Sequence, residues 1–422
     1  MAGANEATAS AILKEVYPGA IEDELNNEVA LWAILDKEKV VLDGQGQHVV
    51  RPFRVGRNQG FGARNDTDTL PQPGNQTLAN AKINMSSNYL VGQITGRVIR
   101  TSYGSEAAFE NALEEEIRFS LTDVPNEIGR QLFNGAGQLT TLNGAVGGSA
   151  SIVVNNLQYI AVGMYLEFWK TDGTNETSND AGLPTGQVGT LVTAVTPATN
   201  TVTVTTAQTL TTGDTVARAG NNTGFTTTKE LSGLDTIIDD GTDYSGRLYF
   251  GANRATYPIL YGNRFNAAAA LTENLMQQAF DAARQVGGGI IDLIITDYAT
   301  RRTYSNLLVS LKRYPLEGVQ APKYGAGLDV SQDLRTQMGE GLSFSGASVI
   351  PSRQAPPKKM FMLDTDSFKL FQQSEIEWVM NGDSILHPLL VNSQDAYKFS
   401  LYYDAQLYCE APNRNAKIVS TF

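Results

Sequence analysis

Residues 146 to 225 constrain this fold more than any other stretch, because Gly, Thr, Asn, Val and Ala dominate them and interrupt a chain of another kind. Short apolar runs recur inside the stretch. Ile152, Val153 and Val154 open it; Tyr165, Leu166, Phe168 and Trp169 follow; then come Leu191, Val192 and Val195, and finally Val202 and Val204. Turn pairs at Asp172 and Gly173, Thr199 and Asn200, and Gly213 and Asp214 separate them. Strands this short and this regularly spaced predict a small barrel or sandwich. It is inserted between a long helical pattern and a later mixture of strands and helices, so the fold class is α+β with an added all-β domain. The stretch TDGTNETSND offers several oxygen ligands without the spacing of a calcium loop, and no metal site is expected there.

The helical pattern before the insert lies over residues 105 to 134. Phe109, Leu113, Ile117, Leu121, Val124, Ile128 and Leu132 draw one apolar stripe at spacings of three and four. Gly135 suits its end. Pro125 removes the backbone bond to Leu121 and predicts a kink or a break. The opposite side is acidic, with Glu106, Glu110, Glu114, Glu115, Glu116, Asp123 and Glu127 against Arg118 and Arg130; a solvated face is the simpler reading.

Upstream, Val49, Val50, Phe53 and Val55 lead out along one long strand, and Leu90, Val91, Ile94, Val98 and Ile99 lead back along another. The tip between them, GRNQGFGARNDTDTLPQPGNQT, has turn residues and little to bury. A tip of that length is either mobile or held by a partner. Arg51, Arg54, Arg57 and Arg64 precede every acid in the segment. Earlier still, Val29, Leu31, Trp32, Ile34 and Leu35 form an apolar plug. It reads equally well as a helix docked on its own core or as an arm clipped onto a neighbour.

After Leu234 the pattern is mixed. Thr272 predicts a helix cap, with Leu275, Met276, Ala279, Phe280 and Ala283 inside the helix and Gly287, Gly288 and Gly289 beyond it. Ile290 to Ile295 reads as a buried strand, and Asp297 as the cap of the next helix. Tyr397, Phe399, Leu401, Tyr403, Ala405, Leu407 and Cys409 alternate strictly, as in a long strand with one buried face.

Chemistry is scarce. There are two histidines, His48 and His387, and no HExxH, GxSxG, CxxC or GxxxxGK pattern. The triple glycine ends a helix instead of opening one, so it is no phosphate cradle. Cys409 is the single cysteine, so no intramolecular disulfide can form, and its place on an apolar strand face reads as a buried hydrophobe. Paired carboxylates are left open, but no pair stands out. No catalytic residue, metal ligand or cofactor site is therefore expected. At 422 residues, 41% hydrophobic and 18% charged, the chain is globular and large enough for two or three domains. A net charge of −12 repels nucleic acid and anionic membrane. No apolar run approaches ~20 residues, and the opening residues lack a signal-peptide pattern, so synthesis in a cytoplasm is expected.

In this order the pieces resemble the major capsid proteins of tailed bacteriophages, which have the Hong Kong 97-type fold. Residues 1–45 are similar to that family's N-terminal arm, 46–100 to its extended loop, and 101–145 to its spine helix. Residues 226–260 and 374–409 resemble the sheet of its peripheral domain. The axial domain would comprise 261–373 and 410–422, where GGGIIDLIITDYATRRTYSNLL and KKMFMLDTDSFKLF look like its strand units. The insert at 146–225 lies outside the minimal fold.

The resemblance implies a non-enzymatic subunit that assembles with itself, as hexamers and pentamers, into an icosahedral head. That head would enclose double-stranded DNA without sequence-specific binding and without a membrane. The protein would be made in the bacterial host cytoplasm and reside in the virion. A portal protein and a separate scaffolding protein would be partners, and a decoration protein an optional one. No lysine lies between Lys39 and Lys82, so the loop tip cannot supply the cross-linking lysine that some relatives use. In the family the extended loop lies across a neighbour's peripheral domain. Arg51, Arg54, Arg57 and Arg64 are therefore expected to face Glu110, Glu114 and Asp123 of a neighbour, while Phe61 of the loop and Leu31 and Trp32 of the arm supply buried apolar contact. Two rival readings are a nanocompartment shell protein of the same fold and a glycan-binding surface protein that uses Tyr165, Phe168 and Trp169 of the insert.

Overall fold

The computed structural model describes residues 30–39, 48–98, 112–134, 137–170, 173–181, 183, 188–221, 229–244, 248–267, 270–309, 342–380, 387–388 and 395–420. Val29, Phe109, Glu110, Gly135 and Asp172 lie outside them. Two compact units divide the chain. One takes Tyr89–Pro125 and Ile376–Tyr402, the other Glu28–Asn88, Asn126–Glu375 and Tyr403–Phe422.

A short helix α1 (Ala30–Ile34) leads to strand β1 (Lys37–Lys39). Among the described residues, β2 (Val49–Gly56) and β3 (Thr77–Ile83) pair only with each other, as an antiparallel hairpin whose register slips between Arg54 and Gly56. The strand returning from the tip thus comes earlier than the Leu90–Ile99 pattern predicts; those residues largely belong to the next strand, β4 (Ser86–Thr95). The long helix α2 (Ala112–Phe133) continues through Pro125 instead of breaking. Ile128, Leu132 and Phe133 beyond the proline are fully buried, and the Phe133 ring lies 6.1 Å from Phe361. That packing outweighs the one backbone bond proline removes. The buried stripe runs through Ser120 and Val124, leaving Leu121 44% exposed.

The insert is a barrel. Its strands are β5 (Gln138–Thr141), β6 (Val146–Val153), β7 (Tyr165–Trp169), β8 (Thr190–Thr196), β9 (Thr201–Leu210) and β10 (Thr215–Arg218), paired in the order β5-β10-β7-β8-β9-β6. A bridge between Leu142 and Val154 joins the two outer strands and closes the sheet on itself, which removes both free edges. Ile152, Leu166, Phe168, Val192, Val202 and Val216 fill the interior. The barrel thus begins at Gln138, before the compositional change at residue 146. Asn200 adopts the left-handed conformation at φ 50° in one predicted turn, a conformation asparagine tolerates better than most residues.

The oxygen-rich stretch of the insert is used internally. Asp180 accepts hydrogen bonds from Thr190 Oγ1 at 2.8 Å, Thr206 Oγ1 at 2.6 Å and Leu191 N at 2.8 Å, stapling its loop to β8 and β9. Asp180→Ala leaves those donors unpaired and is expected to cost about 1–2 kcal/mol in chemical denaturation. An unchanged midpoint would show that water replaces the carboxylate without loss.

Beyond the barrel comes a one-turn helix α3 (Leu234–Ile237), then an α/β layer. It contains β11 (Asn263–Ala267), helix α4 (Glu273–Gly287), β12 (Leu293–Thr296), helix α5 (Tyr298–Val309), β13 (Ser343–Phe344), β14 (Ala347–Pro351) and β15 (Lys359–Leu363). Thr272 caps α4 by accepting from Leu275 N at 3.2 Å, and Gly288 ends it at φ 68°. Gly287 and Gly289 are needed for a second reason: a Cβ would lie 2.5 Å from Asn413 O and 2.4 Å from Arg414 O. Asp297 caps α5 through Ala299 N and Thr300 N.

β16 (Phe368–Gln372), β17 (Glu377–Trp378) and β18 (His387–Pro388) pair antiparallel with successive parts of the long strand β19 (Ala396–Cys409). β4 also pairs with β19, and β1 lies parallel to β16. Phe399, Leu401, Tyr403, Ala405, Leu407 and Cys409 are all buried, as their alternation predicts, and Tyr397 is half-buried. The final strand β20 (Ala416–Ser420) returns to the α/β layer, whose order is β11-β20-β15-β12-β14-β13.

Candidate assembly surfaces and a buried charge cluster

The hairpin has two different halves. At its root Ala81 and Ile83 are buried, Lys82 N donates to Phe250 O at 2.8 Å, and the Phe53 ring meets Tyr257 edge-on at 5.8 Å. Beyond the register slip the side chains stand free of any core. Phe61 is 96% exposed and Leu70 79%. The tip is a set of local turns: Asn58 Oδ1 accepts from Gly60 N at 2.7 Å, Asp68 Oδ2 from Asn65 N at 2.9 Å, and Thr69 O from Arg64 Nε at 2.8 Å. A two-stranded ribbon is marginal alone, and large exposed apolar residues on it mark a surface that something covers.

The expected site residues fall into distinct environments. Arg57 is exposed, Arg64 bonds within its own loop, and Arg54 Nε donates to Gly56 O at 3.5 Å. Arg51 forms a 2.7 Å ion pair with Glu38 of the same chain. Asp123 is exposed on α2; Glu114 belongs to the same helix, and Glu110 lies outside the described residues. Leu31 is fully buried in its own chain, and Trp32 meets Tyr403 edge-on at 6.0 Å with Lys37 Nζ over its ring. Of the two readings of the plug, docking on its own core describes Leu31 and Trp32, which leaves Leu31 no surface to offer.

The densest chemistry is one that sequence reasoning does not single out. Lys417, on β20, has no solvent exposure, and its Nζ lies 3.1 Å from Asp235, 3.2 Å from Asp239 and 3.0 Å from Asp243. Lys359 on β15 pairs with Asp235 at 2.6 Å, and Arg264 on β11 with Asp243 at 2.8 Å. Tyr244 OH donates to Asp235 at 2.6 Å, and Arg254 Nη2 donates to Thr236 O and Ile237 O. Three strands of the α/β layer thereby hold the segment from α3 to Tyr244. Burial pushes the Asp235 carboxyl up, but Lys359, then Lys417, outweigh it and hold the group well below the usual carboxylate range. Each of the three carboxylates has a cation within 4 Å, so the cluster reads as an ionic clamp. The sequence signal that could have found it is a lysine inside the apolar run Ala416, Ile418 and Val419.

A second network roots the barrel. Arg130 on α2 pairs with Glu127 at 2.6 Å and Glu230 at 2.7 Å; Asn221 also donates to Glu230, and Arg218 at the end of β10 lies 3.7 Å from Glu127. Tyr159 OH donates to Gln354 O at 2.5 Å. Elsewhere, burial raises the Cys409 thiol to about 12, so the residue should resist thiol reagents in the folded chain. Ellman titration is expected to count no thiol until denaturant is added, and rapid native reaction would contradict the burial. Among the described residues no group of His, Cys, Asp and Glu is arranged to hold a metal ion, and no helix is long and apolar enough to cross a membrane.

By sequence the chain matches no protein family and no curated protein. By structure it is similar over its whole length to solved capsids. It superposes on the cyanophage A-1(L) capsid asymmetric unit with a TM-score of 0.59 at 14% identity, covering 99% of each chain. The capsid of an empty GTA particle gives 0.51 at 8% identity, and that of a native GTA particle 0.50 at 9%, with 100% of both chains covered in each case. This mixed helix-and-sheet chain has the fold of phage capsid proteins.

Proposed function

We propose that the chain is the major capsid protein of a tailed bacteriophage, a non-enzymatic subunit that assembles with itself into an icosahedral head around double-stranded DNA. The observation that carries this reading is the hairpin: a ribbon that, among the described residues, has no sheet partner beyond its own two strands, with Phe61 and Leu70 exposed at its tip, on a chain that has a capsid fold. A neighbouring copy covers that tip. Phe61 supplies apolar contact, while Arg54, Arg57 and Arg64 face acids of a neighbour's α2, with the exposed Asp123 the leading candidate. Exposed ion pairs contribute only ~0–1 kcal/mol each, so they set register and orientation.

In this reading α2 is the spine helix, the sheet around β19 belongs to the peripheral domain, and the α/β layer is the axial domain. The barrel is a module added to the minimal fold. A portal protein and a separate scaffolding protein would act during assembly, and the product would be the virion. Co-expression with a scaffolding candidate from the same genome, followed by sedimentation, tests the partner assignment. Shells that close only in its presence support it, and shells that close equally well without it oppose it.

A further inference from the structure

Of the hairpin arginines, Arg51 differs from the rest. It sits at the root of β2, opposite the buried Ala81 of β3. Its Nη2 donates to Glu38 Oε1 at 2.7 Å, and its guanidinium lies 5.1 Å from the centre of the Phe371 ring. Glu38 is on β1, which is paired in parallel with β16, Glu38 opposite Phe371 itself. Phe371 stacks in turn on Tyr408 at 5.7 Å. Lys369 extends the network, 3.4 Å from Glu38 and 3.4 Å from Glu410. The contacts at Phe53 and Lys82 hold the same root from its other sides.

Every one of these contacts lies before the slip at Arg54 and Gly56, and none serves the tip. A single exposed ion pair would fix little. Here the arginine has an aromatic platform and a carboxylate that a second cation also holds, which pre-orients both partners.

We infer that Arg51 is a positioning residue: with Glu38 and Phe371 of its own chain it fixes the direction in which the hairpin leaves the body, and so presets where the tip meets a partner. This rests on the shell reading only for what the tip meets; the latch itself is a property of the single chain.

The test uses Arg51→Glu, Glu38→Arg and the double variant that swaps the pair. In the unassembled chain, hydrogen exchange at the β3 amides 77–83 is expected to quicken about two- to fivefold in each single variant. It should return more than halfway to the original rate in the double variant. Single variants that exchange at the original rate, or a double variant as fast as the singles, overturn the latch. A second measurement separates the chain's own pair from one between subunits. Arg51→Glu and Glu38→Arg chains are mixed in equal amounts and set to assemble. The latch predicts a mixture as impaired as either variant alone, because neither chain carries a complete pair. Recovery in the mixture would place the pair between subunits and overturn the proposal. If the unaltered protein forms no shell at all, the exchange measurement still decides.

Discussion

Lys417→Met is expected to destabilise the chain by about 3–5 kcal/mol, the usual cost of removing one partner from a buried ionic network. Methionine fills much of the same volume, so the loss reports charge and not a cavity. Asp235, Asp239 and Asp243 all lie within 3.2 Å of the ammonium that would vanish. Lys359 still serves Asp235 and Arg264 still serves Asp243, but among the described residues the one cation left to Asp239 is Arg254, at 3.9 Å, beside backbone N–H donors such as Gly241 N. Chemical denaturation of the unassembled chain measures the change. A loss under ~1 kcal/mol would mean that the remaining cations balance the site.

The same cluster fixes a pH dependence. Asp235 has a folded pKa below its unfolded value, so its contribution is present above the unfolded value, about 3.9, and is lost as pH falls from there toward the folded value. Burial lowers the Lys417 pKa, but Asp235, then Asp239 and Asp243, raise it above its ordinary value. Its contribution is therefore present through neutral pH and is lost only as pH rises through that raised value. Stability should be level across neutral pH and fall below about pH 4. Asp235→Asn should be less stable overall, with a shallower acid limb; an acid limb as steep as in the unaltered chain would assign the effect to other carboxylates.

Phe61→Asp is expected to abolish shell formation at concentrations where the unaltered chain assembles, with no change in the unfolding midpoint of the isolated chain. Phe61 is 96% exposed, so its removal takes no core contact from its own subunit. Covering a phenylalanine side chain contributes about 1.5–3 kcal/mol, roughly a factor of ten to a hundred in one contact. A closed shell repeats the contact at every subunit, so the effect multiplies, and a buried carboxylate adds a desolvation cost. The triple variant Arg54→Gln, Arg57→Gln and Arg64→Gln should act more weakly, slowing assembly and reducing its salt sensitivity. Normal shells from Phe61→Asp would remove the tip from the interface. A lowered unfolding midpoint would show instead that the residue supports its own chain.

Elements with strong periodicity were legible from the residues. The caps at Thr272 and Asp297, the alternation of β19 and the β-rich insert all depend on local patterns, and the structure has each of them. Closure of the barrel was not legible, because it depends on Leu142 meeting Val154 across a register that composition does not encode. Of the two outcomes that Pro125 left open, a break does not occur, because Ile128, Leu132 and Phe133 pack beyond it, and a local rule does not see that packing. The clamp around Lys417 escaped because its carboxylates lie far away in sequence, and three strands must assemble before they meet. Arg51 looked like the other hairpin arginines, since only the pairing of β1 with β16 brings Glu38 and Phe371 beneath it.

The decisive measurement for the capsid assignment is electron microscopy of the purified chain, co-expressed with its neighbouring reading frames and checked by sedimentation. Closed icosahedral shells are expected, or sheets built of rings when closure fails. A monodisperse monomer under every condition, with Phe61 and Leu70 still uncovered, would contradict it.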